Sequence, residues 1–490
     1  MSAYRSSRQE QRSRFLKSIL DRRSASVYGL VLLTVLGVIG YAQILPNLLV
    51  VPIIVGVVVY EFQKRLDQGV PLLQLTALIA VLQWLLGPVL AYNNDYQYGK
   101  YQMYVDETRY FEYALPATTL YVVVMLAIGA SIRQKELLSR LDRSNFVKIG
   151  FFLNFIAFVA SIAATRFGGG VQFALFLVSQ ARYVGAIYFL FSRHPLRLLL
   201  AGGSLSFLLI SSLSVGMFHD LLLWMAVIFC YWFAQRKWTF KAKVLSLSVT
   251  GLLLFAIQVV KQDYRSQIRR GEQPSIAGMM LSYLSPTGKA WEDGAIANAI
   301  IRLNQGWIIS AVLEHVPAEE PFADGGTIRE AFESALLPRL LAPNKKEAGG
   351  RENFKKFTGI VINKETSMGI SPLGEAYANY GVFGGVLLMM AFGAFFAVLF
   401  KLSLKFVATR PAFFFWLPML FYQSIKAETE FVVVLNQLSK GAFIAFAMYY
   451  FTDMNFPVRI KQVVLRSVPV PRRRVSSTAA VNATAGSAAG

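Results

Sequence analysis

Cysteine and histidine are scarce in this sequence. Cys230 is the single cysteine among 490 residues, and there are three histidines. One cysteine excludes an intramolecular disulfide, a thiolate metal site and a redox pair. The chain also lacks a P-loop, a Gly-x-Gly-x-x-Gly turn, an Asp-x-Asp pair and a His-Glu-x-x-His motif. We therefore predict no bound metal and no cofactor, and metal-dependent chemistry on nucleotide sugars has no support in the sequence.

Acidic residues are also few, with 28 Asp and Glu against 49 Lys and Arg. Such an excess suggests nucleic acid in a soluble protein, but no nucleic-acid-binding module is present. Of the basic residues, 29 lie in the terminal tails and alternate short loops and only 4 in the short loops between them, while the polar stretch 261–375 balances 14 basic with 14 acidic residues. Loops rich in Lys and Arg stay in the cytoplasm. We predict cytoplasmic N- and C-termini, membrane lipid as a partner of the basic loops, and no nucleic-acid partner.

Apolar residues, in contrast, are abundant: 55% of the chain is hydrophobic and 14% aromatic, and the mean hydropathy is +0.46. Repeated apolar runs of roughly 16–24 residues are long enough to cross a bilayer as helices. The predicted fold class is all-α, a polytopic transmembrane helical bundle of about 12 helices with one large, mostly helical outer loop. No matched pair of broken helices of the transporter kind appears.

These runs divide the chain into five parts. They are a basic cytoplasmic N-tail at 1–26, transmembrane helices 1–9 within 27–260, the large periplasmic loop at 261–375, transmembrane helices 10–12 within 376–451, and a basic, low-complexity cytoplasmic C-tail at 452–490. The outer loop is the only long polar region, so we expect the chemistry there.

The first part of this loop predicts an amphipathic helix over 295–316. Asn298, Arg302 and Gln305 fall on one stripe, at positions i, i+4 and i+7, while apolar residues cover the rest. Such a helix lies against the bundle or the interface with Arg302 turned into a polar cavity.

The second part combines a helix with a stiff basic turn. Thr327 and Glu330 fit a capping box that starts a helix, and Pro338 ends it. Arg339 and Lys345 follow in a proline-stiffened segment. Fixed cations suit a pyrophosphate, because arginine provides a bidentate fork and lysine a compact charge. The alternative is a solvated basic loop.

A few charges elsewhere have two interpretations. Arg182 lies near mid-span, where it either contacts substrate or pairs structurally. Asp220 and His219 sit at the outer surface, either at the mouth of a site or as ordinary surface groups. The Tyr-rich loop after the third span is either an interfacial belt or a sugar-stacking surface. The turn from Lys426 to Glu430 is predicted to be a solvated cap.

An arginine on a helix, a glycine before a helix, the block PRLLAPNKK, and then SPLGEAYANYG with GG beyond it resemble the O-antigen and exopolysaccharide repeat-unit polymerases (Wzy-type). The motifs cover about 90 residues, and the topology covers the chain. The resemblance implies a bacterial inner-membrane protein that polymerises lipid-linked oligosaccharide repeats by inverting glycosyl transfer without a metal. Undecaprenyl-pyrophosphate-linked glycans would be donor and acceptor, and a flippase and a chain-length regulator would be partners.

When the motifs are carried over, the resemblance implies that Arg302, Arg339 and Lys345 bind the donor pyrophosphate. It also implies that Glu375 lies near the acceptor hydroxyl. Fixed cations stabilise a leaving pyrophosphate, and a carboxylate beside the attacking hydroxyl acts as general base. The alternative for Glu375 is a helix-N-terminal carboxylate stabilised by the helix dipole. The remaining substrate-contact candidates are Arg329, Tyr377, Asn379, Arg182 and Asp220.

Two other functions stay open. A lipid-linked glycan ligase, like the O-antigen ligases, has similar topology and the same leaving group, and differs only in its acceptor. A polysaccharide flippase or transporter would use Arg182 and Lys440 as pathway charges. The long outer loop and the absence of an internal repeat weigh against transport.

Overall fold

The computed structural model is almost entirely α-helical, which confirms the all-α part of the predicted fold class. It describes residues 20–21, 24–66, 68–94, 99–215, 218–272, 275–285, 293–337, 350–363 and 368–460. The two short strands, β1 (Leu20–Asp21) and β2 (Ser131–Ile132), pair antiparallel. The predicted site residues Arg339 and Lys345 lie outside the described residues, as do residues 1–19 and 461–490 of the terminal tails.

The described residues in the first half of the chain form eleven α-helices, with a π-helical segment, Leu82–Leu86, between the third and fourth and a 3-10 turn, Gly99–Tyr101, after the fourth. The helices are α1 (Val27–Tyr41), α2 (Asn47–Leu66), α3 (Leu72–Val81), α4 (Gly87–Tyr92), α5 (Glu107–Ile128), α6 (Gln134–Ser139), α7 (Phe146–Ala164), α8 (Gly169–Ser179), α9 (Ala181–Phe191), α10 (Arg197–Val215) and α11 (His219–Phe233).

In the second half, the described residues add ten α-helices, a 3-10 segment, Pro411–Trp416, and a second π-helical segment, Gln437–Gly441. The helices are α12 (Phe240–Arg269), α13 (Ile276–Leu284), α14 (Asp293–Leu303), α15 (Gly306–His315), α16 (Gly326–Leu336), α17 (Arg351–Thr358), α18 (Ser371–Thr409), α19 (Leu417–Ile425), α20 (Phe431–Asn436) and α21 (Ala442–Asn455).

Within the described part of the chain, nine helical segments are long and apolar enough to cross a membrane, or ten if the bent pair α14 and α15 counts as one. The protein is therefore a multi-pass membrane protein. The other apolar runs of the sequence are also helical but shorter. α1 and α11 have 15 residues each, and the run at 411–425 begins as a 3-10 segment at Pro411 before α19.

The centre of the bundle is the pair α5 and α18, the most extensive helix–helix contact in the structure. Small residues on α18 allow the close approach: a Cβ at Gly393 would lie 2.5 Å from the Tyr121 carbonyl oxygen. Gly381 breaks the helical geometry of α18, with φ +67° and ψ −157°. The ten residues Ser371–Tyr380 therefore form a separate first section of this helix, buried except for Tyr380 at its end.

Two predicted helix features are wrong. The helix expected over 295–316 is broken between α14 and α15, which meet at 61°. The cause is a tertiary contact: the Gln305 backbone N–H donates to the carbonyl of Gln83, 3.1 Å away in the π-helical segment. Thr327 is not an N-cap, because α16 begins at Gly326, capped by Gly325 at φ +81°. The end of α16 at Leu336 agrees with the predicted stop before Pro338.

Candidate active site

The break between α14 and α15 lies at the end of the bundle where α4, α5, α11 and α20 begin or end. Two glycines allow two segments of the chain, the start of α4 and the break itself, to approach each other closely there. A Cβ at Gly87 would lie 2.6 Å from the Cα of Asn304, and one at Gly306 would lie 2.3 Å from the side chain of Pro88. The approach fixes Arg302 and Gln305, on either side of the break, against the bundle.

Three adjoining clefts open around this break. The central cleft, about 660 Å³, is lined by Gln83, Leu90, Tyr101, His219, Gly251, Phe255, Lys261, Ile296, Ala299, Ile300, Ile301, Arg302, Leu303, Gln305, Trp307, Ile308, Met368 and Glu428. One side of it is apolar, where Leu90, Gly251 and Phe255 come from helices long enough to span the membrane. A polar and an apolar wall in one cleft fit an amphipathic ligand.

The arginine cleft adjoins the central cleft on one side, also with a volume of about 660 Å³. Its lining is Tyr101, Arg265, Ser266, Arg270, Asn298, Ile301 and Arg302. Arg302 lines both clefts and is exposed. Its guanidinium forms no hydrogen bond or ion pair with any other residue that the structure describes. Lys261, on the central cleft, lies within electrostatic reach of Arg302 and Arg265. Like charges gathered at a cleft attract an anionic group.

The central cleft also carries an imidazole and a carboxylate. His219 Nε2 lies 3.5 Å from Glu428 Oε1. The Gln305 side-chain amide donates to the other Glu428 oxygen, Oε2, at 3.3 Å. Gln305 therefore links the break between α14 and α15 to the turn at 426–430. The arrangement places a proton acceptor, with a second group to orient it, in the same cleft as the cations.

Asp220 supports this arrangement from behind. Its Oδ1 accepts hydrogen bonds from Lys426 Nζ at 2.7 Å and from the Tyr422 hydroxyl at 3.0 Å. Lys426 also lies over the Tyr422 ring, 4.7 Å from the centroid. Asp220 thus ties α11, which begins at His219, to the same turn that carries Glu428.

The glutamate cleft, about 350 Å³, adjoins the central cleft at Gln305, Ile308, Met368 and Glu428 and reaches Glu430. Glu430 is 1% exposed, so the predicted solvated cap is wrong at this residue. Its carboxylate accepts from the Ile370 backbone N–H and the Asn353 amide, each at 3.1 Å. Burial raises the pKa of Glu430. A tertiary contact with the loop before α18 therefore buries a carboxylate that the sequence places in a polar turn.

Glu375 lies deeper, in the buried first section of α18. It is 0% exposed, and its Oε2 accepts from the Phe431 backbone N–H at 2.8 Å. Its side chain lines none of the three clefts. The hydrogen bond caps the N-terminus of α20, directly after the turn that carries Glu428 and Glu430. The geometry thus connects Glu375 to the cleft through α20.

The other predicted contact residues divide by position. Asn379 is buried and donates to Thr327 Oγ1 and to the Glu375 carbonyl, each at 2.7 Å. Tyr377 packs against the Tyr113 ring at 5.2 Å. Arg329 is exposed and lies 3.9 Å from Glu333, one turn along α16. None of these three side chains lines one of the clefts described above.

Arg182 is buried away from the clefts. It hydrogen-bonds to backbone carbonyls of Ser179 and Ala157 and to the Ser161 hydroxyl. Its guanidinium lies over the Phe207 ring, 4.3 Å from the centroid. These contacts correspond to the structural interpretation of a mid-span arginine, in which carbonyls and a ring replace water.

Sequence reasoning selected Arg302, Asp220 and the Asn298–Arg302–Gln305 stripe, and all of these are at or next to the clefts. It assigned no role to Lys261, and it considered Glu428 only as part of a solvated cap and Tyr101 only as part of the Tyr-rich loop. The available signal was weak: Lys261 is the first cation after an apolar run, and Tyr101 belongs to the Tyr-rich loop. Among the described residues, no group of three or more His, Cys, Asp or Glu side chains forms a metal-binding cluster.

The comparisons with known proteins show the family. Residues 90–407 match the family described as domain of unknown function (DUF8712), and the chain belongs to it. The matched range includes the central cleft's cations and all but the last two residues of α18, and it ends before Glu428. No curated protein and no solved structure matches the chain.

Proposed function

We propose that this member of the DUF8712 family is a glycosyltransferase that uses a polyprenyl-pyrophosphate-linked glycan as donor and extends it by lipid-linked repeat units. The observation that supports this most directly is the central cleft. It combines cations, an apolar wall continuous with membrane-spanning helices, and an imidazole–carboxylate pair. These are the three environments that a lipid tail, a pyrophosphate and a reacting hydroxyl require.

The donor pyrophosphate binds Arg302 and Lys261 in this proposal, and its polyprenyl chain leaves the cleft along Phe255 and Gly251. Arg302 is suited to this role because none of the residues that the structure describes hydrogen-bonds to or pairs with its guanidinium, while the neighbouring like charges favour an anion. The glycan extends into the arginine cleft, where Tyr101 offers a ring for sugar stacking. Arg339 and Lys345 are further candidates for the same pyrophosphate.

The reaction needs one proton acceptor and one stabilised leaving group. The acceptor hydroxyl oxygen attacks the anomeric carbon as the bond from that carbon to the pyrophosphate oxygen breaks. His219 takes the hydroxyl proton, and Glu428 orients and stabilises the imidazolium that forms. The electron pair leaves with the polyprenyl pyrophosphate, whose added charge Arg302 and Lys261 stabilise. Attack from the side opposite the pyrophosphate inverts the anomeric centre.

The distance of 3.5 Å between His219 and Glu428 is slightly longer than a hydrogen bond. Catalytic hydrogen bonds are often long without substrate and shorten in the complex. In this proposal the clefts face the periplasm of a bacterial inner membrane and both termini are cytoplasmic, following the distribution of basic residues. A flippase that delivers the lipid-linked repeats and a chain-length regulator are the expected partners.

The test is transfer by purified protein in proteoliposomes given lipid-linked repeat units. Arg302→Ala should lower polymer formation by about 10²–10³-fold, the usual cost of removing one charge-stabilising group. Arg302→Lys should also be impaired, because a lysine cannot form the bidentate fork. Arg166→Ala is the matched control, since Arg166 is exposed at the end of α7, outside the clefts.

The alternatives give different results in the same assay. A lipid-linked glycan ligase uses the same donor and cleft but leaves single repeats unpolymerised and transfers a preformed chain to another acceptor. A flippase moves labelled lipid across the bilayer without releasing polyprenyl pyrophosphate. Wild-type transfer by Arg302→Ala would remove the proposed donor site.

A further inference from the structure

We propose a second, separate anion site at the opposite end of the bundle: Arg143, Arg193 and Arg197 bind the phosphate of an anionic phospholipid headgroup. α10 begins at Arg197 and ends at Val215, close to His219 at the clefts. The arginine triad therefore lies one membrane crossing away from the candidate active site.

The triad is formed by three helix ends. Arg143 lies just before α7, while Arg193 and Arg197 lie between the end of α9 at Phe191 and the first turn of α10. Arg143 Nη1 donates to the Phe191 carbonyl at 3.5 Å and Nη2 to the Leu138 carbonyl at 3.4 Å. These contacts hold the Arg143 guanidinium beside the short connection that carries the other two arginines.

The connection itself is ordered by its own hydrogen bonds. The His194 N–H donates to Ser192 Oγ at 3.3 Å, and the Leu196 N–H donates to His194 Nδ1 at 3.2 Å. The Arg197 N–H donates to the His194 carbonyl at 3.2 Å. Arg193 and Arg197 therefore stand on a defined turn.

No carboxylate balances these three charges among the residues that the structure describes. Burial and the like charges of Arg193 and Arg197 lower the pKa of Arg143. Asp142, the carboxylate next to Arg143 in the sequence, accepts hydrogen bonds from the Ser144 backbone N–H and hydroxyl. The chain segments 1–19 and 461–490 contain Glu10 as their one acidic residue, so they are poorly suited to neutralise the triad. An external anion removes the repulsion.

The surroundings favour a lipid as the source of that anion. Apolar side chains next to the triad are strongly exposed: Leu198 is 59%, Leu199 70% and Phe151 55% exposed. They lie on α7 and α10, which are both long and apolar enough to cross the membrane. A phospholipid fits this combination, with its phosphate on the guanidinium groups and its acyl chains along the exposed leucine and phenylalanine side chains.

The experiment is native mass spectrometry of the full-length protein from mixed micelles containing phosphatidylglycerol or phosphatidylcholine. The wild type should retain one more phosphatidylglycerol than the triple variant Arg143→Gln, Arg193→Gln, Arg197→Gln. Three basic contacts near the surface are together worth on the order of 100-fold in affinity. Phosphatidylcholine binding should not differ. The control variant Lys237→Gln, Lys401→Gln, Lys405→Gln removes the same charge elsewhere on the same face and should bind like the wild type.

Two outcomes would overturn the site. Equal phosphatidylglycerol retention by the triple variant and the wild type would show that the triad does not bind it. Equal loss in the control variant would show that only net charge matters. Glycerol phosphate is added as a competitor and should not displace the lipid; full displacement would assign the triad to a soluble phosphate. The single variant Arg143→Lys, which keeps the charge, covers the case in which the triple variant does not fold.

Discussion

At the residue scale, the question is which carboxylate does chemistry. Glu375 belongs to the SPLGEAYANYG motif that resembles the polymerases, but it is fully buried and its carboxylate accepts a hydrogen bond from the backbone of α20. Glu428 lacks a motif, but it shares a cleft with Arg302, Lys261 and His219. A general base must reach the proton that it removes. We therefore assign Glu375 to positioning the turn at 426–430 and the proton transfer to the His219–Glu428 pair.

Three substitutions separate these roles in the proteoliposome assay. His219→Ala should lower transfer by about 10²–10⁴-fold, the contribution of a general base, and Glu428→Gln should lower it substantially as well. Glu375→Gln keeps an oxygen that accepts from the Phe431 N–H, so transfer should stay within about threefold of wild type. In addition, raising the pH should rescue His219→Ala in part but have no such effect on Glu375→Gln. An inactive Glu375→Gln beside a fully active His219→Ala would restore Glu375 as the base.

At the element scale, periodicity in the sequence was sufficient to predict the helices but not to predict where they break. Apolar run length predicted the helical segments, since each must satisfy its own backbone groups in lipid. The polar stripe predicted that Arg302 faces a cavity, and Arg302 lines two clefts. The break after Leu303 could not be predicted, because it depends on a contact between Gln305 and Gln83. The burial of Glu430 depends in the same way on Ile370 and Asn353, which are distant in sequence.

The close approach of α4 to the break yields a prediction for this element. Gly87→Ala places a Cβ within 3 Å of the backbone of Leu303 and Asn304, which cannot move aside like a flexible side chain. Overpacking of this kind costs about 1–3 kcal/mol. Thermal unfolding in detergent should show lower stability, and transfer should fall because Arg302 and Gln305 shift. The control is Gly56→Ala in α2, where nothing lies within 4 Å and stability should be equal or slightly higher. Equal stability and equal transfer activity of the two variants would contradict a close contact between α4 and the break.

At the scale of the whole molecule, the bundle separates two kinds of surface. One end has the clefts, with cations and carboxylates in balance across the polar stretch 261–375. The other end has the described basic loops, which together with the terminal tails of the sequence account for 29 of the 49 basic residues. This asymmetry predicts the orientation of the bundle, because basic loops resist translocation. We therefore expect the proposed donor site and the proposed lipid site at the arginine triad to belong to opposite leaflets, each with a different lipid phosphate as its ligand.

Labelling with an impermeant thiol reagent tests this orientation in a Cys230→Ser background. Cys230 is buried and is the single cysteine of the sequence. Replacing it with the similarly small serine leaves the introduced cysteine as the thiol that reacts with the reagent. Arg329→Cys, at a position exposed on α16 near the clefts, should react in intact spheroplasts. Lys237→Cys, exposed between α11 and α12 at the basic end, should react only after the membrane is permeabilised. Both positions are exposed in the fold, so burial cannot explain a difference between them. If Lys237→Cys reacted in intact spheroplasts and Arg329→Cys reacted only after permeabilisation, the clefts would face the cytoplasm. Lipid-linked repeats could then not be polymerised at the clefts in the periplasm, and the proposed function would be wrong.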